Sequence, residues 1–367
     1  MRVKNSQPDY ILLAVIGILV VFGLIMVSSA SIGQSQEKFH ESYYYLKSQL
    51  LKGLLPGLLL GVIAYFFPYR YLKPLALPLL AITVIGLIMV FIPGFGTGHG
   101  GAKRWIILGP VVLQPTEFLK LSFIIYLSAW FAGKGKAGKD FSEGLVPFLI
   151  MVSAVAFLVI LEPDIGTLGV IGFTSLIIYF LAGARISHLG LIGFGSVILF
   201  YLLTKFYSHA ANRLQVFLHP ELDPRGIGYQ INQAVLALGS GGIFGLGLGQ
   251  GVQKFKYLPE PASDSILAVI GEELGFIGIM ALLLLFMIFT FRGFKIAQGA
   301  PDDFGRLLAG GLTGWITVQA LINMAAICGL IPLTGITLPF ISLGGSSLAI
   351  SLTGMGILLN ISKYSKS

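Results

Sequence analysis

Apolar positions along this chain come in long blocks rather than in the alternation typical of strands. Ten blocks recur, near 10–30, 48–67, 74–94, 116–132, 144–161, 166–183, 188–204, 266–290, 306–328 and 340–361. A helix of about 20 apolar residues crosses the hydrocarbon core of a bilayer. The pattern therefore predicts an all-α polytopic membrane protein with ten transmembrane helices, residues 1–367 forming a single membrane domain. The fifth and sixth blocks are short and joined only by "LEPDIG" (161–166), which predicts a tilted or broken pair. The first block is longer than the apolar core of a signal peptide. Despite the small residues "SSAS" (28–31), it reads as an uncleaved span.

The connections divide into two kinds. Short basic loops hold Arg2 and Lys4, Arg70 and Lys73, Lys134, Lys136 and Lys139, Arg185, Arg292 and Lys295, and Lys363 and Lys366. Such loops face the cytoplasm, which predicts that both termini lie inside. The opposite loops include two long stretches, 95–115 and 205–265, the second lying between helices seven and eight. It mixes Gly-rich turns with an apolar segment, 231–238, that is too short to span. That combination predicts a re-entrant or interfacial excursion rather than an open loop.

Composition narrows the class. The chain is 55% hydrophobic and 11% charged, whereas a soluble domain carries roughly a quarter charged residues. Its net charge of +8 resides in short loops between apolar blocks, which argues for a membrane and against nucleic acid. The lone cysteine, Cys328, excludes an intramolecular disulfide and a cysteine-rich metal site. The glycine-rich stretches follow no strand and lead to no GK[ST], so nucleotide binding is not expected.

Candidate chemistry gathers at the outer mouth. Asp264 precedes the eighth span and stands eight residues before Glu272, about two turns along the same helix side. A carboxylate there suits chemistry, or merely caps the helix, a role Ser263 can also fill. Glu273 points elsewhere and is expected to pair inside the bundle. Glu117 and Lys120 form an i, i+3 pair that a simple helix-end ion pair explains as well as function does; Arg104 is explained less well. Asp164 can cap the sixth span. Arg213, Lys254 and Lys256, with Glu260 and Asp264 nearby, would form a cationic lip beside a carboxylate, suited to an anionic lipid-linked substrate. Lipid headgroups are the alternative partners for these cations.

Three segments, "GAKRWIILGPVVLQPTEFLKL" (101–121), "YLPEPASDSILAVIGEELGFIG" (257–278) and "GLIPLTGITLPFISLGGSSL" (329–348), resemble the SEDS family (shape, elongation, division and sporulation), which includes FtsW and RodA. "LEPDIGT" (161–167) and "FLHPELDPRGIGYQINQAVLALGSGGIFGLGLG" (217–249) fit in the same order, so the resemblance covers nearly the whole chain. It implies a peptidoglycan glycosyltransferase that polymerises lipid II on the outer face of the bacterial cytoplasmic membrane. The family's essential aspartate falls on Asp264, and its other charged and polar site positions fall on Arg104, Gln114, Glu117, Lys120, Lys254 and Glu260. The family commonly has His-Thr-Asp-Phe where this chain has Ala262-Ser263-Asp264-Ser265, and an aromatic where Leu343 stands. A mechanism needing that histidine is therefore not expected here.

The resemblance further implies lipid II and an undecaprenyl-pyrophosphate-linked glycan as substrates. It also implies a class B penicillin-binding transpeptidase, with other divisome or elongasome proteins, as partners. "YLPE" and "GEELG" favour the FtsW branch over RodA. No cofactor is identified with certainty, and a divalent cation (Mg or Mn) would suit the leaving pyrophosphate. Two rival functions are a lipid II flippase, which needs charge along a path through the bundle, and a non-enzymatic scaffold for a transpeptidase.

Overall fold

The computed structural model describes residues 7–92, 96–99, 102–108, 111–219, 226 and 228–365. Arg2, Lys4 and Lys366 of the expected basic loops lie outside these residues, as do parts of two motifs, at 101, 109–110, 220–225 and 227; the Lys136 side chain is likewise outside the description.

Eight helical stretches are long and apolar enough to cross a membrane: 10–39, 44–66, 69–90, 141–161, 186–206, 266–299, 303–327 and 345–362. These eight stretches make the chain a multi-pass membrane protein. Two of the ten expected spans fall short of that standard. They are helices Pro115–Lys134, diluted by Glu117 and Lys120, and Ile165–Leu181, only 17 residues long.

In chain order the helices are α1 (Tyr10–Phe39), α2 (Tyr44–Gln49), α3 (Leu55–Phe66) and α4 (Leu72–Val90), with a π-helical turn, Leu50–Leu54, joining α2 to α3. Then come α5 (Pro115–Lys134), α6 (Val146–Leu161), α7 (Ile165–Leu181), α8 (Ile186–Phe206), α9 (Ser208–Leu218) and α10 (Tyr229–Ser240). The last are α11 (Ile266–Gly299), α12 (Asp303–Ile327) and α13 (Gly345–Ser362). Local chemistry sets several starts. Asp9, Asp164 and Asp302 accept hydrogen bonds from the backbone N–H groups of Leu12, Thr167 and Gly305, capping α1, α7 and α12. Pro115 opens α5, where a missing N–H costs nothing.

The bundle is built around α12 and α13. Both are largely buried, whereas α8 is exposed along most of its length and packs chiefly on α9. Helix α12 can sit centrally because Gly310, Gly311 and Gly314 let Leu181, Ile178 and Ile177 of α7 approach closely.

Two loop regions differ from the all-helical expectation. Residues 96–113 form a three-stranded antiparallel sheet, β1 (Gly96–His99), β2 (Ala102–Leu108) and β3 (Val111–Leu113). Within that run "RWIIL" has strand composition, but its Gly-rich flank masked it. The apolar segment 231–238 lies within α10, which packs on α11 through Ile231, Ala234 and Ala237.

Helix α11 is broken at Gly275, whose φ of 67° and ψ of −165° leave the helical region. The segment after α10 fills the break. Gly242 and Ile243 carbonyls accept from Phe276 N–H (2.9 Å) and Ile277 N–H (3.2 Å), and Leu246 and Gly247 N–H donate to Glu272 and Glu273 carbonyls, each at 3.0 Å. Non-helical backbone inside a membrane bundle needs such protein partners.

Candidate active site

Asp264 lies in the turn between this loop and α11. Ser265 is the helix N-cap and makes no side-chain capping bond, so Asp264 does not serve as the cap. Its carboxylate instead opens onto a cavity of about 940 Å³ whose wall includes Arg213, Val216, Gln230, Asp264, Cys328 and Gly335. Gln230 Nε2 donates to Asp264 Oδ2 at 3.3 Å and to Ser265 Oγ at 3.1 Å. Arg213 faces Asp264 across Gly335: a Cβ on that glycine would lie 3.4 Å from the guanidinium and 3.8 Å from the carboxylate. With φ of 69°, Gly335 also needs the left-handed region that glycine tolerates.

The backbone around Asp264 is fixed by α12 and by the segment leading to α13. Asn323 Nδ2 donates to the carbonyls of Asp264 (2.9 Å) and Ile336 (2.8 Å). Ser342 Oγ donates to the Ser263 carbonyl at 2.5 Å, and Leu343 N–H to the Ala262 carbonyl at 2.8 Å. Crowding by protein, then the charge of Glu260, pushes the Asp264 carboxyl up to about 6, against weaker pulls from Gln230 and Arg213. Glu260 is exposed and accepts from Ser263 Oγ at 2.9 Å. Burial lowers the Arg213 guanidinium from its usual value, as does nearby Arg104, while Asp164 and Asp264 oppose the shift.

The remaining site candidates divide. Arg104, from β2, donates to the carbonyls of Glu162 and Pro163 and so joins the sheet to the α6–α7 turn. Asp164 caps α7, accepting from Thr167 N–H (3.1 Å) and Oγ1 (2.8 Å). The fully buried Glu162 has neither carboxylate oxygen hydrogen-bonded within the described residues. Burial and the charge of Asp164 push it up to about 8, despite Arg104.

Glu117 and Lys120 are a buried pair, with Lys120 Nζ 2.9 Å from the carboxylate. Lys120 also donates to Gln319 Oε1 at 2.8 Å, and Gln319 Nε2 donates to the Thr337 carbonyl at 2.9 Å. The pair therefore reaches the Asp264 region through Gln319 rather than by facing it. Gln114 precedes α5, and its backbone N–H donates to Ser346 Oγ at 3.4 Å.

Lys254 departs from the expected cationic lip. Its ammonium is buried and bonds Glu273 Oε1 (2.6 Å), Ser29 Oγ (2.9 Å) and the Gly249 carbonyl (2.9 Å). Its predicted role at the substrate assumed a surface position; the Gly-rich loop turns it inward to neutralise Glu273. Glu273 thus pairs inside the bundle as expected. Glu272 accepts from the N–H groups of Val252 (2.8 Å) and Gln253 (3.1 Å), so it braces the same loop. Lys256 is exposed and pairs with Glu37 at 2.9 Å.

Sequence reasoning missed Gln319 and Asn323, buried amides four residues apart on one face of α12. Two amides on an apolar helix were the available signal, since buried polar groups require partners. Among the described residues, no group of three or more His, Cys, Asp or Glu side chains is placed to hold a metal ion. The arrangement can hold an anionic ligand at Arg213 while Asp264, poised near neutrality, accepts a proton.

The chain is similar over its whole length to several known proteins. The FtsW/RodA/SpoVE family, described as "Cell cycle protein", matches residues 9–367. Stage V sporulation protein E of Bacillus subtilis (strain 168) is 42% identical over 370 residues, covering 100% of both chains. The probable peptidoglycan glycosyltransferase FtsW of Trichlorobacter lovleyi is 41% identical, covering 98% of this chain and 94% of its own. Among solved structures, a chain from a study of polymerization and crosslinking by a peptidoglycan synthase complex superposes with a TM-score of 0.80 at 26% identity, covering 97% of each chain. The rod shape determining protein RodA of Thermus thermophilus gives 0.72 at 26% identity, covering 98% of each. Similarity over the full length, in sequence and in fold, means that the chain belongs to the FtsW, RodA and SpoVE family.

Proposed function

We propose that this protein is a peptidoglycan glycosyltransferase that polymerises lipid II at the outer face of a bacterial cytoplasmic membrane, with both termini inside. The observation that carries the reading is Asp264, relieved of capping and set on a cavity wall opposite Arg213. Asp264 removes the proton from an attacking sugar hydroxyl. The hydroxyl oxygen bonds to the anomeric carbon of the second saccharide as the bond to its lipid pyrophosphate breaks. The electron pair leaves on the pyrophosphate, and the anomeric configuration inverts. Arg213 faces the charge that develops there, with Arg104 contributing at longer range. No separate acid is needed, because pyrophosphate leaves without protonation.

A flippase would need charge along a path through the bundle. Here Lys254 and Lys120 are each neutralised by a buried glutamate, which supports the enzyme reading. The resemblance to a synthase complex that coordinates polymerization and crosslinking supports a class B transpeptidase as partner. The decisive experiment is polymerisation of lipid II by the purified protein in detergent. The Asp264→Asn variant keeps the side-chain size but cannot accept the proton. Polymerisation should fall at least a hundredfold, as for loss of a general base, with the thermal unfolding profile kept. Wild-type turnover by this variant would sink the role.

A further inference from the structure

A second cavity of about 580 Å³ lies on the other side of the segment leading into α13, walled by Tyr45, Gln49, Lys52, Trp105, Leu343 and Ser346. It is separated from the Asp264 turn by one layer of backbone. Residues 342–344 are bonded on one face to Ser263 and Ala262, as described above. On the other face Gln49 Nε2 donates to the Ser342 carbonyl at 3.2 Å, and Gly344 N–H donates to Gln49 Oε1 at 3.0 Å. A single partition thus has the Asp264 turn on one side and this cavity on the other.

Lys52 distinguishes the cavity. It sits in the π-helical turn Leu50–Leu54, inside a stretch apolar enough to span a membrane. Ionisable residues in such stretches are rare and mark ligand paths, and π-turns gather at functional sites. Arg104, Lys120, Arg213, Lys254 and Lys256 all have protein partners. The Lys52 side chain has no ion pair or hydrogen bond among the described residues, and the residue is exposed and lines the cavity. Trp105 and Tyr45 add aromatic faces on which a sugar ring can lie. Beyond Lys52 the chain continues into α3, where Leu55, Leu58 and Leu59 are exposed on the surface of an apolar helix.

We propose that the cavity around Lys52 and Trp105 binds the acceptor saccharide through its polyprenyl pyrophosphate, while the Arg213 side of the Asp264 cavity holds the donor. This rests on the polymerase reading, since joining two lipid-linked saccharides requires both at once. Each would then carry its anion on its own cation, and the acceptor hydroxyl would reach Asp264 past the edge of the partition, because that carboxylate opens onto the donor cavity.

Two measurements test it. In lipid II titrations, Lys52→Gln and Lys52→Glu should raise KM about tenfold or more, the loss expected of one charged contact, with kcat the less affected. Lys52→Arg should restore KM. Independently, native mass spectrometry of the Asp264→Asn protein with undecaprenyl pyrophosphate should count two bound lipids, and one when Lys52→Glu is added. Excess phosphatidylglycerol should not displace the second lipid. An unchanged KM, no rescue by arginine, or a second lipid that phosphatidylglycerol replaces fully would overturn the site, leaving Lys52 as a headgroup contact. A wild-type protein that makes no polymer would refute the polymerase reading instead, while the lipid count would still report whether the second site exists.

Discussion

At the scale of single residues, environment assigns different work to carboxylates of the same kind. Asp164 caps a helix, Glu273 neutralises a lysine, Glu162 is buried without a hydrogen bond, and Asp264 faces a cavity. Because crowding and Glu260 raise Asp264 to about 6, its basic form accumulates only above that pH. The polymerisation kcat/KM should therefore climb through pH 6 and level off above it. Glu260→Gln should move the inflection to lower pH, and a flat profile from pH 5 to 8 would count against Asp264 as the base.

Glu162 yields a stability prediction. Its carboxyl is raised from 4.5 to about 8 in the folded protein, so the unfolded chain releases this proton first and folding weakens as pH rises through that window. The non-titrating Glu162→Gln variant should gain on the wild type across the same range, by on the order of 2–4 kcal/mol, and hold that gain above it. Thermal unfolding at several pH values reads the difference. The sequence marked Asp264 and Asp164, because charge beside an apolar block is conspicuous. It hid Gln319 and Asn323, because neutral amides on an apolar helix announce no partner until the fold supplies one.

At the scale of elements, eight of the ten expected spans were legible because hydrophobic length alone sets them, while Pro115–Lys134 and Ile165–Leu181 fall short of that measure. The irregular parts were legible only as irregular. A glycine-rich loop signals an excursion, but not that it turns Lys254 inward against Glu273 and α1. That pairing fixes the loop to the bundle and can be tested by removal. Glu273→Ala should destabilise by about 3–5 kcal/mol, because it strands a buried ammonium. A Lys254→Met/Glu273→Leu pair should lose much less. Equal losses in the single and double variants, measured by thermal unfolding, would mean that the charges do not act as a pair. The small sheet 96–113 performs a similar fastening through Arg104, and short strands beside glycines gave little pattern to read.

At the scale of the whole molecule, burial is graded: α12 and α13 form the fixed centre, and α8 lies at the margin with few contacts beyond α9. The break at Gly275 has a consequence for how the protein is made. Among the described residues, carbonyl and N–H groups freed there find their partners in residues 242–247, which leave the ribosome earlier. The first half of α11 cannot enter lipid alone without exposing unpaired backbone. The loop, α10 and α11 should therefore leave the insertion machinery together, as one unit. Replacing residues 242–247 with a Ser-rich linker should leave nascent α11 accessible to aqueous labelling at positions that the intact chain protects. Full protection without the loop would show that α11 inserts independently.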